Sequence, residues 1–154
     1  MPVRIKNMNR LFLPLVALLL IVGCASTNKE SFELAVKNQT GTPISIWLTK
    51  DGPPAEDGWE SPEQLALRPQ TSTFGFRTIE PGKVAQAGPL TGRFAPGVNA
   101  WLRVYQGLHT LDEILAISRG SHDRLDYLLS PGRHQITVVE QNGRLVALEA
   151  DNQP

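Results

Sequence analysis

The chain has 154 residues and a formal net charge of zero, a length at which one domain is the default. From position 24 onward, 12 Lys and Arg stand against 15 Asp and Glu, a net of −3, which excludes nucleic-acid binding through clustered positive charge. The single cysteine excludes an intramolecular disulfide framework and a Cys-rich zinc site, so the fold stands on its core alone.

The chain opens with MPVRIKNMNR, in which Arg4, Lys6 and Arg10 have no acid nearby. The apolar run LFLPLVALLLIVG follows at 11–23. A basic start, a short apolar stretch and small residues make the pattern of a secretory signal. The run falls short of the about 20 apolar residues of a spanning helix, and Pro14 argues further against a permanent anchor. It ends in Ile21-Val22-Gly23-Cys24. These residues resemble the lipobox of bacterial lipoproteins, with Ile and Val where Leu and Ala or Ser are commoner. The resemblance covers residues 1–26 and carries no information on the fold beyond them. It implies a diacylglyceryl group on the Cys24 thiol, cleavage before Cys24 by signal peptidase II, and fatty acylation, palmitate in type, of the new amino terminus. Ala25 rather than Asp after the cysteine implies delivery to the outer membrane, facing the periplasm, under the enteric sorting pattern. One acyl chain holds only marginally, whereas two or three make a stable anchor. The expected layout is a signal peptide at 1–23, a lipidated polar tether at 24–31, a β-sandwich at 32–150 and a polar tail at 151–154.

Alternation begins with Phe32, Leu34 and Val36 on one face, the period of a half-buried strand. NQTGT reads as a turn, and Ile44, Ile46 and Leu48 resume the alternation, so the pair is expected to form a hairpin. The segment 51–70 is rich in Gly, Pro and acids. Inside it, Ser61, Pro62 and Gln64 carry the start of a short helix ending before Pro69. A strand is expected over TSTFGFRTI, with Phe74 and Phe76 on one face, and then the turn EPGK. KVAQA reads as a weak strand and GPLTGRFAPG as irregular chain. In VNAWLRVYQ, Val98, Ala100, Leu102 and Val104 alternate with Asn99, Trp101, Arg103 and Tyr105. Residues 110–118 carry two signals: a capping box of Thr110 and Glu113, and the β-branched run ILAIS. The turn-like RGSHD before RLDYLL tips the expectation to a strand hairpin. HQITVVE and RLVALE flank Asn142-Gly143, the strongest short hairpin signal. About nine strands punctuated by turns every 8–12 residues predict an all-β, antiparallel sandwich with one or two helical turns. The closing LSPGRHQITVVEQNGRLV resembles the last hairpin of immunoglobulin-like and transthyretin-like modules, which implies a fold class only.

Chemistry-bearing residues are few. Ser121-His122-Asp123 are adjacent in sequence, and adjacent side chains point apart, so they read as turn rather than triad. His109, His122 and His134, with Asp112 or Asp123, lack ligand spacing, so no metal and no cofactor is expected. Asp112 and Glu113 read as a solvated pair or a helix start. The one candidate binding surface is the strand face of Trp47, Trp101, Arg103 and Tyr105, suited to stacking on a glycan, a peptide or a partner protein. The competing expectation is that segment 51–70 covers these rings, with Trp59 joining them. The expected function is a lipid-anchored, non-enzymatic envelope module that binds or assembles with a partner. The alternatives are a small lipid-anchored hydrolase or metal-dependent enzyme, and a carbohydrate or peptide binder working through the aromatic face.

Overall fold

The computed structural model describes residues 27–67, 77–117 and 124–150. Among them are eight strands in two four-stranded sheets and two short helices, an all-β sandwich. In chain order these are β1 (Asn28–Asn38), β2 (Ile44–Lys50), α1 (Pro62–Leu67), β3 (Arg77–Ile79), β4 (Val84–Phe94), β5 (Ala100–Gln106), α2 (Leu111–Ala116), β6 (Arg124–Leu129), β7 (Gly132–Gln141) and β8 (Arg144–Glu149). One sheet runs β4-β1-β7-β8 and the other β3-β2-β5-β6. All pairings are antiparallel except that of β1 with β7, which is parallel.

The alternation in the sequence explains the layering. Phe32, Leu34 and Val36 of β1 and Ile136 and Val138 of β7 meet Ile44, Ile46 and Leu48 of β2 and Leu102 and Val104 of β5 in one buried core. Asn142-Gly143 closes the β7 to β8 hairpin with both residues at positive φ, 53° and 73°, as a tight primed turn requires.

Four expectations are corrected. β1 and β2 do not form a hairpin; they lie in opposite sheets, and 39–43 is a corner between the layers. Asn38 builds that corner. Its amide donates to Thr42 O and Ile79 O at 2.9 Å each and accepts from Thr40 N and Thr40 Oγ1. β4 is one strand where a weak strand and irregular chain were expected, because it pairs with β1 at both ends, from Val84 to Ala87 and from Leu90 to Phe94, around a bulge at Gly88 and Pro89. The first strand begins at Asn28, inside the expected tether, because Asn28 to Ser31 pair with Phe94 to Thr91. Residues 111–116 are helix, not strand: both halves of the Thr110 and Glu113 capping box form, and Ile114 packs on the outer face of β2 and β5. The expected helical turn at Ser61 is present as α1. The strand expected over 71–79 is described only at β3, and Phe74, Phe76 and the RGSHD turn lie outside the described residues, as do the signal, Cys24 and the tail. No described helix is long and apolar enough to cross a membrane.

Candidate functional site

The register of the second sheet brings the predicted face together. Trp47 pairs with Arg103, Ser45 with Tyr105, Thr49 with Trp101, and Arg103 with Asp126. These side chains share the side of the sheet that faces away from the main core. The face is covered, however. Trp47, Arg103 and Tyr105 are buried, and Trp101 is half-buried. Leu65 of α1 and Ile114 of α2 pack on Trp47 and Tyr105 as a second, smaller core. Both helices are short, so their start sites matter. Ser61 Oγ accepts from Gln64 N, and Gln64 Oε1 accepts from Ser61 N; Thr110 and Glu113 repeat the arrangement. Trp47 donates its indole N–H to Glu60 O at 3.0 Å, which fixes the entry into α1. Trp59 does not join this layer. It inserts between the sheets against Phe32 and Phe94, with ring centroids 5.3 and 5.0 Å away.

Charge beneath α1 is organised around two arginines. Arg103 donates to Glu63 at 2.6 Å and lies 3.7 Å from Asp51 and 3.9 Å from Asp126. Arg124 forks onto Asp126 at 2.8 and 2.6 Å and approaches Glu63 at 3.6 Å. Its guanidinium stands 5.9 Å over the Tyr105 ring. Burial pushes the Glu63 carboxyl up, but its own backbone N–H and the Arg103 guanidinium outweigh that and hold it below the usual range. Burial raises the Tyr105 phenol above its ordinary value, against the pull of both arginines. Glutamate is thus kept ionised and tyrosine kept protonated at neutral pH. The two arginines thereby clamp α1 to the sheet through Glu63.

Beside the clamp lies a cavity of about 400 Å³ lined by Lys50, Glu56, Trp59, Glu60, Gln64 and Leu65, among others. The Lys50 side chain is only 2% exposed. It donates to Glu56 at 2.6 Å and to Arg93 O, and sits 4.6 Å over the Phe94 ring. Glu56 is held below the usual carboxylate range, chiefly by that lysine. The amine is thereby held by a carboxylate, a backbone carbonyl and an aromatic ring.

The sequence offers His134 as a metal ligand or as a histidine of a small hydrolase. The structure places it in a different network. Nδ1 meets Glu149 Oε1 at 2.5 Å, Nε2 meets Ser130 O at 2.7 Å, and Tyr127 donates to Glu149 at 2.8 Å. A serine, histidine and glutamate side by side suggest a triad, but the position opposite Nε2 is taken by a backbone carbonyl rather than a hydroxyl. The network ties β6, β7 and β8 at one end of the sandwich. His109 lies beyond β5 at the other end, against Gln106 O. Among the described residues, no group of three or more His, Cys, Asp or Glu is placed to hold a metal ion.

The network predicts acid sensitivity. Glu149 lies below the usual carboxylate range, first through the His134 ring and then through the Tyr127 hydroxyl, although burial pushes it up. A depressed carboxyl contributes stability above its unfolded pKa and loses it as pH falls through the folded one. Glu56 and Glu63 act in the same direction. Stability is therefore expected to fall below about pH 4.3, and Glu149→Gln to flatten part of that limb. Urea midpoints measured across the acid range check this; an unchanged slope in the variant would remove Glu149 from the account.

No protein-family model matches the chain, and no curated protein matches it in sequence.

Proposed function

We propose that the chain is a lipid-anchored protein of the bacterial envelope, held by an acylated Cys24, whose β-sandwich serves as a binding or assembly module and not as an enzyme. The observation that carries this reading is the sequence Ile21-Val22-Gly23-Cys24 at the end of a short apolar run, four residues ahead of the first strand. An apolar run of that length with a basic start suits export and lipid transfer. Ala25 after the cysteine favours the outer membrane, with the domain in the periplasm.

The module reading draws support from how the polar residues are used. The Arg103, Arg124 and Glu63 cluster clamps a helix, Lys50 is neutralised by Glu56, and His134 is pinned between two acceptors. A glycan or peptide stacking on Trp47 and Tyr105 would first have to lift α1 and α2 from the sheet. The partner of the module is accordingly an envelope protein or a glycan met elsewhere on the surface, with the bilayer engaged through Cys24.

The test is the mass of the mature N-terminal peptide after expression in a bacterial host, beside a Cys24→Ser control. The expected peptide starts at Cys24 and carries acyl chains, and the serine variant loses membrane attachment. An unmodified Cys24, or cleavage elsewhere, overturns the reading.

A further inference from the structure

We propose that one particular end of the sandwich, the loop at 95–99 together with the turn at 130–132, rests on the lipid headgroups, with the strands standing away from the bilayer. The inference rests on acylation of Cys24, as proposed above. It adds which surface meets the membrane.

The short link to Cys24 limits how far the domain can stand from the bilayer. β1 begins at Asn28, four residues after Cys24. Four residues span at most about 14 Å when fully extended. The headgroup layer on each side of a bilayer is itself about 5–8 Å thick. Asn28 therefore lies against or just above the headgroups. It pairs with Phe94, the last residue of β4, and the same end collects the start of β5, the end of β6 and the start of β7. The opposite end holds the corner at 39–43 and the turns at 80–83 and 142–143. β1 has 11 residues, so that end stands about 35 Å farther off. A 14 Å link cannot turn the molecule over.

Composition selects this end over a sandwich lying on its flank. Residues 95–99 are Ala, Pro, Gly, Val and Asn, and 130–132 are Ser, Pro and Gly, so neither loop carries a charge. Residues 95–99 and Pro131, together with Asn28, Phe32 and Phe94, line a shallow cavity of about 200 Å³ in which Glu30 is the one charged side chain. The outward face of the β1 sheet carries the Glu33 and Arg133 ion pair at 2.9 Å next to the turn at 130–132 and, farther from that end, the exposed Lys37 and Arg144, all of which a flat pose would strip of water. The acidic segment 51–60 shares the anchored end, and anionic headgroups repel it, so the neutral loops lead.

The experiment uses the full-length, lipid-modified protein. Acylation consumes the thiol of Cys24, the only cysteine, so an introduced cysteine takes up a fluorophore alone. Asn99→Cys places the label at the proposed contact, and Gln141→Cys places it at the far end; both positions are exposed. The variants are bound to phosphatidylethanolamine and phosphatidylglycerol vesicles carrying a headgroup quencher. Several-fold stronger quenching of the label at 99 than at 141 is expected. Equal quenching, or stronger quenching at 141, with both proteins floating with the vesicles, overturns the orientation and leaves the anchor standing. A parent protein that takes up dye at Cys24, or fails to float, overturns the anchor and the orientation with it.

Discussion

Replacing Trp59 with alanine is expected to lower the unfolding free energy by about 3–5 kcal/mol, the range for removing a fully buried large aromatic. The residue is 2% exposed and meets Phe32 and Phe94 edge-on, at interplanar angles of 75° and 87°. Its backbone carbonyl accepts from Lys50 N at 3.1 Å and Thr49 Oγ1 at 2.9 Å. The indole thus staples segment 51–60 across the mouth of the sandwich, and losing it both opens a cavity and loosens the wall beside Lys50. Trp59→Phe keeps the ring contacts and is expected to cost far less, since the indole nitrogen has no hydrogen-bond partner among the described residues. Gly92 gives an independent check. A methyl added there would overlap the indole nitrogen, so Gly92→Ala displaces Trp59 and destabilises on its own. With phenylalanine at 59 the same change is expected to cost less, a coupling that a double-mutant cycle measures. Urea unfolding followed by far-UV circular dichroism supplies the four free energies. Strict additivity would show that Gly92 does not act through the ring.

The second large effect falls on Asn38. It is fully buried and uses both amide donors and both lone pairs of its oxygen. Asn38→Ala strands two carbonyls and two donors of the corner, each costing about 1–3 kcal/mol where water cannot replace the partner. Some of the loss is recovered because the single hydroxyl proton of Thr40, released from Asn38, turns to Thr42 O, 2.7 Å from Oγ1. A net loss of about 3 kcal/mol is expected, within the range for a broken buried network. Asn38→Asp is expected to be worse at neutral pH. It sets a carboxylate against Thr42 O and Ile79 O, where an N–H donated before. The sign of the pH dependence separates the two variants: the aspartate is expected to regain stability in acid, where protonation restores a donor, and the alanine is not. Intrinsic fluorescence of the buried Trp47 and Trp59 reports both transitions. An alanine variant as stable as the parent would show that the corner holds without its amide.

The contrast between α2 and β7 shows what was legible beforehand. Around Asn142-Gly143 every local signal agrees: a turn that needs positive φ, and alternation on both sides. The hairpin could be read directly. The register of that turn also places Glu149 opposite Ile136, two residues from His134 and so on the same face, so the histidine and carboxylate network had a signal in the sequence that spacing rules for metal ligands do not contain. Around Thr110 the local signals disagree. The capping box favours helix and the β-branched run favours strand, and neither is decisive over six residues. Contact of Ile114 with the Trp47 and Tyr105 layer settles it, and that contact is long-range.

The candidate surface divides in the same way. That Trp47, Trp101, Arg103 and Tyr105 share a face follows from period-two alternation, a property of the strand alone. That segment 51–70 covers Trp47, Arg103 and Tyr105 is also an expectation from the sequence, and α1 meets it; that α2, from a different part of the chain, shares the cover does not follow from it. Nor does the place of Trp59, which leaves the segment next to the aromatic face and enters the other core. By itself the sequence determined the all-β class, the inward and outward faces of β1, β2 and β5, the turns at 80–83 and 142–143, and the lipobox expectation at Cys24. Each of these is set by neighbours a few residues apart. Only the tertiary structure decided the sheet partners of β1 and β2, the course of β4 as one strand, the helical state of α2 and the clamp beneath α1. Those depend on which apolar and charged surfaces meet across the fold, and such pairings gain their free energy only after distant segments have been brought together.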